Sequence, residues 1–143
     1  MSTQTAQSNA EIARLGYDAW NSRDFDRGAS VFGDDAEILN VPLGTTFRGK
    51  DGYLQFVRGW ASAFSDGKIV IENMVVSDTA FAVEFTARGT HNGALKTPAG
   101  ELPPTGKKVE LRFCDIGAIH NGKITSIRSY FDSATLMRQL GLG

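Results

Sequence analysis

Three charged side chains late in the sequence have the types and spacing to move protons: Asp115, Arg128 and Asp132. They sit on two apolar, β-branched stretches, residues 107–119 and 123–131, joined through Asn121-Gly122, the dipeptide best suited to a two-residue hairpin turn. Such a loop fixes the register. His120 then faces Lys123, Asp115 faces Arg128, Phe113 faces Tyr130 and Leu111 faces Asp132. Directly opposed side chains share a face. Val109, Leu111, Phe113, Asp115, Arg128, Tyr130 and Asp132 are therefore expected on one surface, and Glu110, Arg112, Cys114, Ile116, Ile127, Ser129 and Phe131 on the other.

The first surface admits two readings. It could carry an ordinary Asp115–Arg128 ion pair, with Asp132 capping the helix that follows. It could instead be a polar cluster on the floor of an apolar cavity. There, burial would raise the pKa of Asp132 and make it a proton acceptor or donor near neutral pH, while Arg128 holds the charge of Asp115. His91 follows a Gly-Thr step, opens a loop, and is a third candidate. His120 adjoins the turn and is expected to be exposed. Cys114 falls on the face opposite Asp132, which argues against a nucleophilic role.

The elements that must position these groups come in two blocks. Ser8-Asn9-Ala10-Glu11 fits a capping box, followed by a broad helical stripe through Tyr17 and Trp20. A short helix is expected over 25–31, and strands over 36–40 and 45–48. Residues 50–64 give the clearest helix, with Tyr53, Phe56, Val57, Trp60, Ala61 and Phe64 on one face. Strand-like stretches then dominate: 68–76, 79–90, 107–119 and 123–131. Between them, residues 91–106 hold three of the four prolines and read as a long loop. A terminal helix over 133–140 is stopped by Gly141. Helices followed by long antiparallel strands predict an α+β fold, helices packed on one face of a curved sheet, with room for a cavity lined by the aromatics of both layers.

Composition sets outer limits. A chain of 143 residues suits one domain, here taken as 9–143 behind a loose N-terminal tail, residues 1–8. Fifteen basic against sixteen acidic residues give a net charge of −1, without the basic excess of nucleic-acid or membrane-surface binders. No uncharged apolar run nears the ~18 residues of a membrane helix, and the polar start does not read as a secretory leader, so a cytoplasmic protein is expected. One cysteine and two histidines are too few for an intrachain disulfide or a structural zinc site. No Gly-x-x-x-x-Gly-Lys-Ser/Thr phosphate loop occurs.

Taken in order, Gly89-Thr90-His91-Asn92-Gly93, Pro104-Thr105-Gly106-Lys107, Asn121-Gly122-Lys123-Ile124, Tyr130-Phe131-Asp132 and Arg138-Gln139-Leu140-Gly141 resemble the SnoaL-like polyketide cyclases, within the nuclear-transport-factor-2-like superfamily. The resemblance runs from about Asn9 to Gly141. It implies a cone-shaped α+β barrel, commonly dimeric, with an apolar pocket and no cofactor. It also implies intramolecular aldol condensation of a polyketide ester, with the aspartate at the end of the last long strand, here Asp132, removing the α-proton. Polar groups near the pocket would hold the enolate oxygen, for which His91, Asn40 and Arg128 are candidates. The aromatic residues Tyr17, Trp20, Trp60, Phe64, Phe113 and Tyr130 would form core or pocket wall against a small apolar or polyketide-like molecule. Two other functions stay open in this fold. One is a hydrolase of epoxide type, or an isomerase, using Asp115, Arg128 and Asp132. The other is a non-catalytic module that carries a small ligand.

Overall fold

The computed structural model of the chain describes residues 3–142. Helices α1 (Thr3–Ser22) and α2 (Phe25–Ala29) lead into strand β1 (Phe32–Asn40), β2 (Thr45–Arg48) and helix α3 (Gly49–Ala63). Strands β3 (Lys68–Val76) and β4 (Ala80–Thr90), the short pair β5 (Leu95–Thr97) and β6 (Gly100–Leu102), β7 (Lys108–His120), β8 (Lys123–Phe131) and helix α4 (Ser133–Gln139) complete the chain. Helix α1 begins at Thr3, so Ser8 lies inside it rather than capping it. Of the expected loose tail, residues 3–8 are thus helical, and Met1 and Ser2 lie outside the described residues.

Six strands form one sheet in the order β2-β1-β8-β7-β4-β3. All neighbours are antiparallel except β1 and β8. The fold is α+β with helices on the concave side, as expected, but the sheet is open: β2 and β3 are its two edges and do not pair with each other. The loop 91–106 folds back as the separate β5–β6 ribbon.

The clearest departure lies in the last hairpin. His120 faces Lys123 and Ile119 faces Ile124, as a two-residue turn demands. The register then shifts at a β-bulge, and Ala118 faces Ser126. A one-residue slip sends every later side chain of β8 to the other face. Asp115 therefore faces Ser129, Cys114 faces Tyr130 and Phe113 faces Phe131. The expected Asp115–Arg128 and Phe113–Tyr130 pairs do not form; Arg128 and Tyr130 point away from the core and are exposed.

Two asparagines lash α1 across the concave side. Asn9 Nδ2 donates to the carbonyls of Ser77 (3.1 Å) and Asp78 (2.9 Å) in the β3–β4 turn. Asn21 completes a strand-like pair with Ile69: its Nδ2 donates to the Ile69 carbonyl (3.0 Å) and its Oδ1 accepts the Ile69 N–H (2.9 Å). This occupies part of the β3 edge, which would otherwise present unpaired backbone. Arg23, with φ of +64°, turns the chain after α1 and donates to the carbonyls of Trp20 (2.7 Å), Ser65 (3.0 Å) and Gly67 (2.8 Å). It thereby ties the end of α1 to the segment after α3.

Aromatic packing joins α3 to the sheet. The Trp60 ring meets Phe113 and Phe131 edge-on at 5.9 and 5.6 Å, and Phe85 stacks on Phe113 at 5.0 Å. Each buried ring removes apolar area worth about 1.5–3 kcal/mol, and such pairs add about 0.5–1.5 kcal/mol. At the far end of β7, Gly117 faces Phe81, whose ring lies across it: a Cβ at position 117 would stand 2.2 Å from Phe81 Cζ. We expect Gly117→Ala to displace that buried ring and to lower stability by about 1–3 kcal/mol, read from the midpoint of urea unfolding at unchanged slope.

Candidate active site

Alternation along β7 sends Leu111, Phe113, Asp115, Gly117 and Ile119 to the concave side, all of them buried. Asp115 is the acidic member of this apolar row and is 5% exposed. Directly above it α1 presents Tyr17, whose hydroxyl donates to Asp115 Oδ2 at 2.7 Å. Asp115 Oδ1 is buried with no hydrogen-bond partner among the described residues. Burial pushes the Asp115 pKa up to about 6, against the opposing influence of the Ser129 and Tyr17 hydroxyls, which favour the charged form. Ser129 faces Asp115 across the strand pair from β8. Burial, and then the Asp115 charge, raise the Tyr17 pKa well above its ordinary value, so Tyr17 stays a neutral donor.

These groups open on a cavity of about 130 Å³ between the helices and the sheet. Of the expected pocket residues, Tyr17, Trp20, Trp60, Phe64, Phe113 and Asp115 line it. Asp115 is its one carboxylate among the described residues. Two further buried polar atoms on lining residues have no partner: Trp20 Nε1 and the Tyr53 hydroxyl. Burial pushes the Tyr53 pKa up to about 12, so it too remains protonated. Gly16 faces the same space, and nothing lies within 4 Å of where its Cβ would be.

The remaining expected site residues lie elsewhere. Asp132 is exposed and caps α4: its Oδ1 accepts the N–H groups of Ala134 (3.0 Å) and Thr135 (3.3 Å), and its Oδ2 accepts the Thr135 hydroxyl (2.9 Å). These bonds, led by the Thr135 hydroxyl, hold its pKa below the usual carboxylate range, whereas a buried Asp132 would have been raised. Asn40 is buried but spends its Oδ1 on the Leu43 N–H (3.2 Å) in the β1–β2 turn. His91 is fully buried outside the cavity wall. Its Nδ1 accepts the Thr105 N–H (3.2 Å) and lies 3.0 Å from Thr105 Oγ1, which places the ring proton on Nε2 and pins the two ends of the loop 91–106 together. Burial lowers its pKa, partly offset by the Gly93 backbone. The expected Asp115–Arg128–Asp132 cluster is thus not assembled.

The sequence reading missed Ser129 and gave Tyr53 only as a helix-face residue. Ile127 and Phe131 flank Ser129 with the apolar alternation of a buried face, while Arg128 and Tyr130 carry polar groups. That pattern conflicts with the straight hairpin register and was the available sign of the bulge.

The comparisons agree with this architecture. The family profile described as SnoaL-like polyketide cyclase matches residues 10–140. The chain belongs to the SnoaL-like polyketide cyclase family. No curated protein matches it by sequence. Among solved structures, a candidate SnoaL-like polyketide cyclase of Jannaschia sp. CCS1 superposes with a TM-score of 0.86 at 16% identity, covering 100% of this chain and 98% of that one. IdmH of Streptomyces antibioticus, a candidate polyketide cyclase, gives 0.75 at 25% identity over 92% and 97% of the two chains. A protein of Catenulispora acidiphila DSM 44928 with a ketosteroid isomerase-like fold, in complex with trimethylamine, gives 0.77 at 16% identity over 93% and 94%. Among the described residues no helix is long and apolar enough to cross a membrane.

The two aspartates should separate cleanly. Asp132→Ala is expected to loosen α4 and lower the melting temperature, because two backbone N–H groups lose their acceptor. Carbon-detected NMR titration of that variant should still find the Asp115 carboxyl ionising near 6; a fall to the ordinary carboxylate range would show that Asp132 acts on the cavity.

Proposed function

We propose that this protein is a cofactor-free enzyme that removes and returns a proton on a carbon acid held in the apolar cavity, with Asp115 as the general acid/base. The supporting observation is the Asp115 carboxyl itself: buried in the cavity wall, held by Tyr17 through Oδ2, with Oδ1 unpartnered. With its pKa near 6, about nine molecules in ten are ionised at pH 7, so the group acts first as base and then, once protonated, as acid. Cyclisation is the reaction class we assign, in line with the family. The carboxylate takes an α-proton from the substrate. The resulting enolate carbon bonds to a carbonyl carbon in the same molecule, and Asp115 returns the proton to the alkoxide so formed. Trp20 Nε1–H is an unpartnered donor on a residue of the cavity wall and is the candidate to hold an enolate oxygen. A hydrolase working through Asp115, Arg128 and Asp132 has lost its geometric basis, since the latter two lie outside the cavity.

The test needs no natural substrate. The protein should speed α-proton exchange of a small β-keto ester in deuterated water, followed by NMR. Asp115→Asn should slow that exchange by roughly 10²–10⁴-fold while leaving ester binding intact; an undiminished rate would overturn the assignment. Tyr17→Phe removes a bond that favours the carboxylate, so the acidic limb of the pH–rate profile should move to higher pH.

Stability should move the opposite way to activity. The folded carboxyl keeps its proton up to about pH 6, whereas the unfolded one releases it near pH 4. The folded state therefore binds more protons between these values, and stability falls as pH rises through that window. Asp115→Asn should be more stable than the parent at pH 7, by up to roughly 3 kcal/mol, with the gain shrinking toward pH 4 in parallel urea titrations.

We further propose a homodimer. The outward sheet face carries exposed Ile116 and Tyr130 with Val75, bordered by Glu84, Arg112 and Arg128. A face apolar at its centre and of mixed charge at its rim can oppose a copy of itself about a twofold axis. Ile116→Arg should give the monomer mass by light scattering if the parent gives twice that mass.

A further inference from the structure

The dimensions of the cavity and the chemistry of its mouth restrict what can enter. Its volume is about 130 Å³; a dry apolar cavity of about 150 Å³ admits benzene. The interior as shaped thus accommodates one ring and not a fused system. Lys68, Arg88, Gly89 and Val109 belong both to the cavity wall and to an open surface groove of about 530 Å³, so the two spaces adjoin. At their boundary the chain has glycine: a Cβ on Gly89 would stand 3.2 Å from both Gly67 Cα and Phe64 Cβ. The partition at that point is therefore closely packed backbone and not a bulky side chain.

The groove beyond is lined by three cations and two carboxylates, and the carboxylates are engaged. Asp66 accepts the Thr90 N–H (2.7 Å) and hydroxyl (2.8 Å), which hold its pKa low. Glu110 is paired with Arg88 Nε, and the terminal nitrogens of that guanidinium have no partner among the described residues. Lys68 donates one N–H to the Asn21 carbonyl, leaving two. The Lys108 ammonium has no polar partner among the described residues. The groove thus sets three cations against two carboxylates, an excess of one positive charge, and Lys68, Arg88 and Lys108 keep N–H donors free for a guest.

Building on the reading that Asp115 works on a guest in this cavity, we propose that the substrate has a single-ring apolar body inside and a short chain ending in a carboxylate outside, held by Lys108, Arg88 and Lys68. The ring meets the aromatic wall, the reacting carbon lies at Asp115 Oδ1, and the carboxylate stays in water-accessible surroundings, where it loses little hydration.

Calorimetry with three probes tests this: 4-phenylbutanoate, its neutral analogue 4-phenylbutanamide, and 4-(anthracen-9-yl)butanoate. The phenyl acid should bind at least tenfold more tightly than the amide at low salt and at least tenfold more tightly than the anthracenyl acid. Its advantage over the amide should shrink in high salt and vanish in the Lys68→Ala, Arg88→Ala, Lys108→Ala triple variant. Equal binding of acid and amide, an advantage that survives in the triple variant, a preference for the anthracenyl acid, or no binding of any probe would overturn the proposal. The Asp115→Asn protein should retain the preference of acid over amide. If that preference is missing while Asp115→Asn still abolishes proton exchange, the anionic subsite fails and the role of Asp115 stands; if the preference is present but exchange is indifferent to Asp115, the reverse holds.

Discussion

A carboxylate moved from water to an apolar interior loses several kcal/mol unless it gains hydrogen bonds or takes up a proton. Asp115 meets this cost half-way: one oxygen is bonded by Tyr17, the other is left bare, and the proton is held to about pH 6. The compromise depends on helix α1 remaining over β7. Apolar packing through Ile12, Ala13 and Trp20 seats α1 on the core. Polar anchors within the helix and at its C-terminal end hold it there: Asn9 on the β3–β4 turn, Asn21 on the β3 edge, and Arg23 on the carbonyls after α3. Side chains far from the cavity therefore decide whether Asp115 has a partner.

The hollow beside Asp115 has an equally specific origin. Rings such as Trp60, Phe113 and Phe131 are planar and stiff, and they meet edge to face rather than spreading to fill space. Opposite them, α1 offers Gly16, which contributes no side chain to the gap. Close-packed interiors do not leave such a space by default. The cavity reflects small residues on the helix set against inflexible rings on α3 and the sheet. The Gly28 contact shows the contrary case: there the Tyr53 hydroxyl is so near that a Cβ would stand 2.1 Å from it. Removal of a methyl at position 28 seats Tyr53, and its removal at position 16 keeps space open.

Much of this was legible in the order of residues. The aromatic stripe of α3, the Asn121-Gly122 turn and the long strands gave the α+β architecture, and six of the expected pocket residues do line the cavity. The errors share one source. Turn chemistry dictates register only where pairing is uninterrupted, and it held here for two pairs before the bulge between Ala118 and Ile119. Past that point a rule of period two inverts completely instead of degrading, so Arg128 and Tyr130 exchanged places with Ser129 and Phe131. A bulge is set by twist and by packing against β1, which runs parallel to β8, and neither is written in the hairpin itself. Asp132 was open to two readings from the start, and its place just before a helix made it the cap.

A single buried carboxylate also limits which chemistry the cavity can support. An enzyme with separate acid and base needs two titrating groups whose surroundings push their pKa values apart. Here Asp132 and Asp115 are indeed pushed apart, one down and one up, but only Asp115 faces the cavity. A lone carboxyl cannot protonate a leaving group while another carboxylate activates water. It can take a proton at one moment and return it at the next, in a space walled almost entirely by apolar side chains. Reactions that begin and end with the same proton count, ring closure and isomerisation among them, suit a single carboxyl; the other charged side chains of the wall, Lys68 and Arg88, are cations and not a second carboxylate.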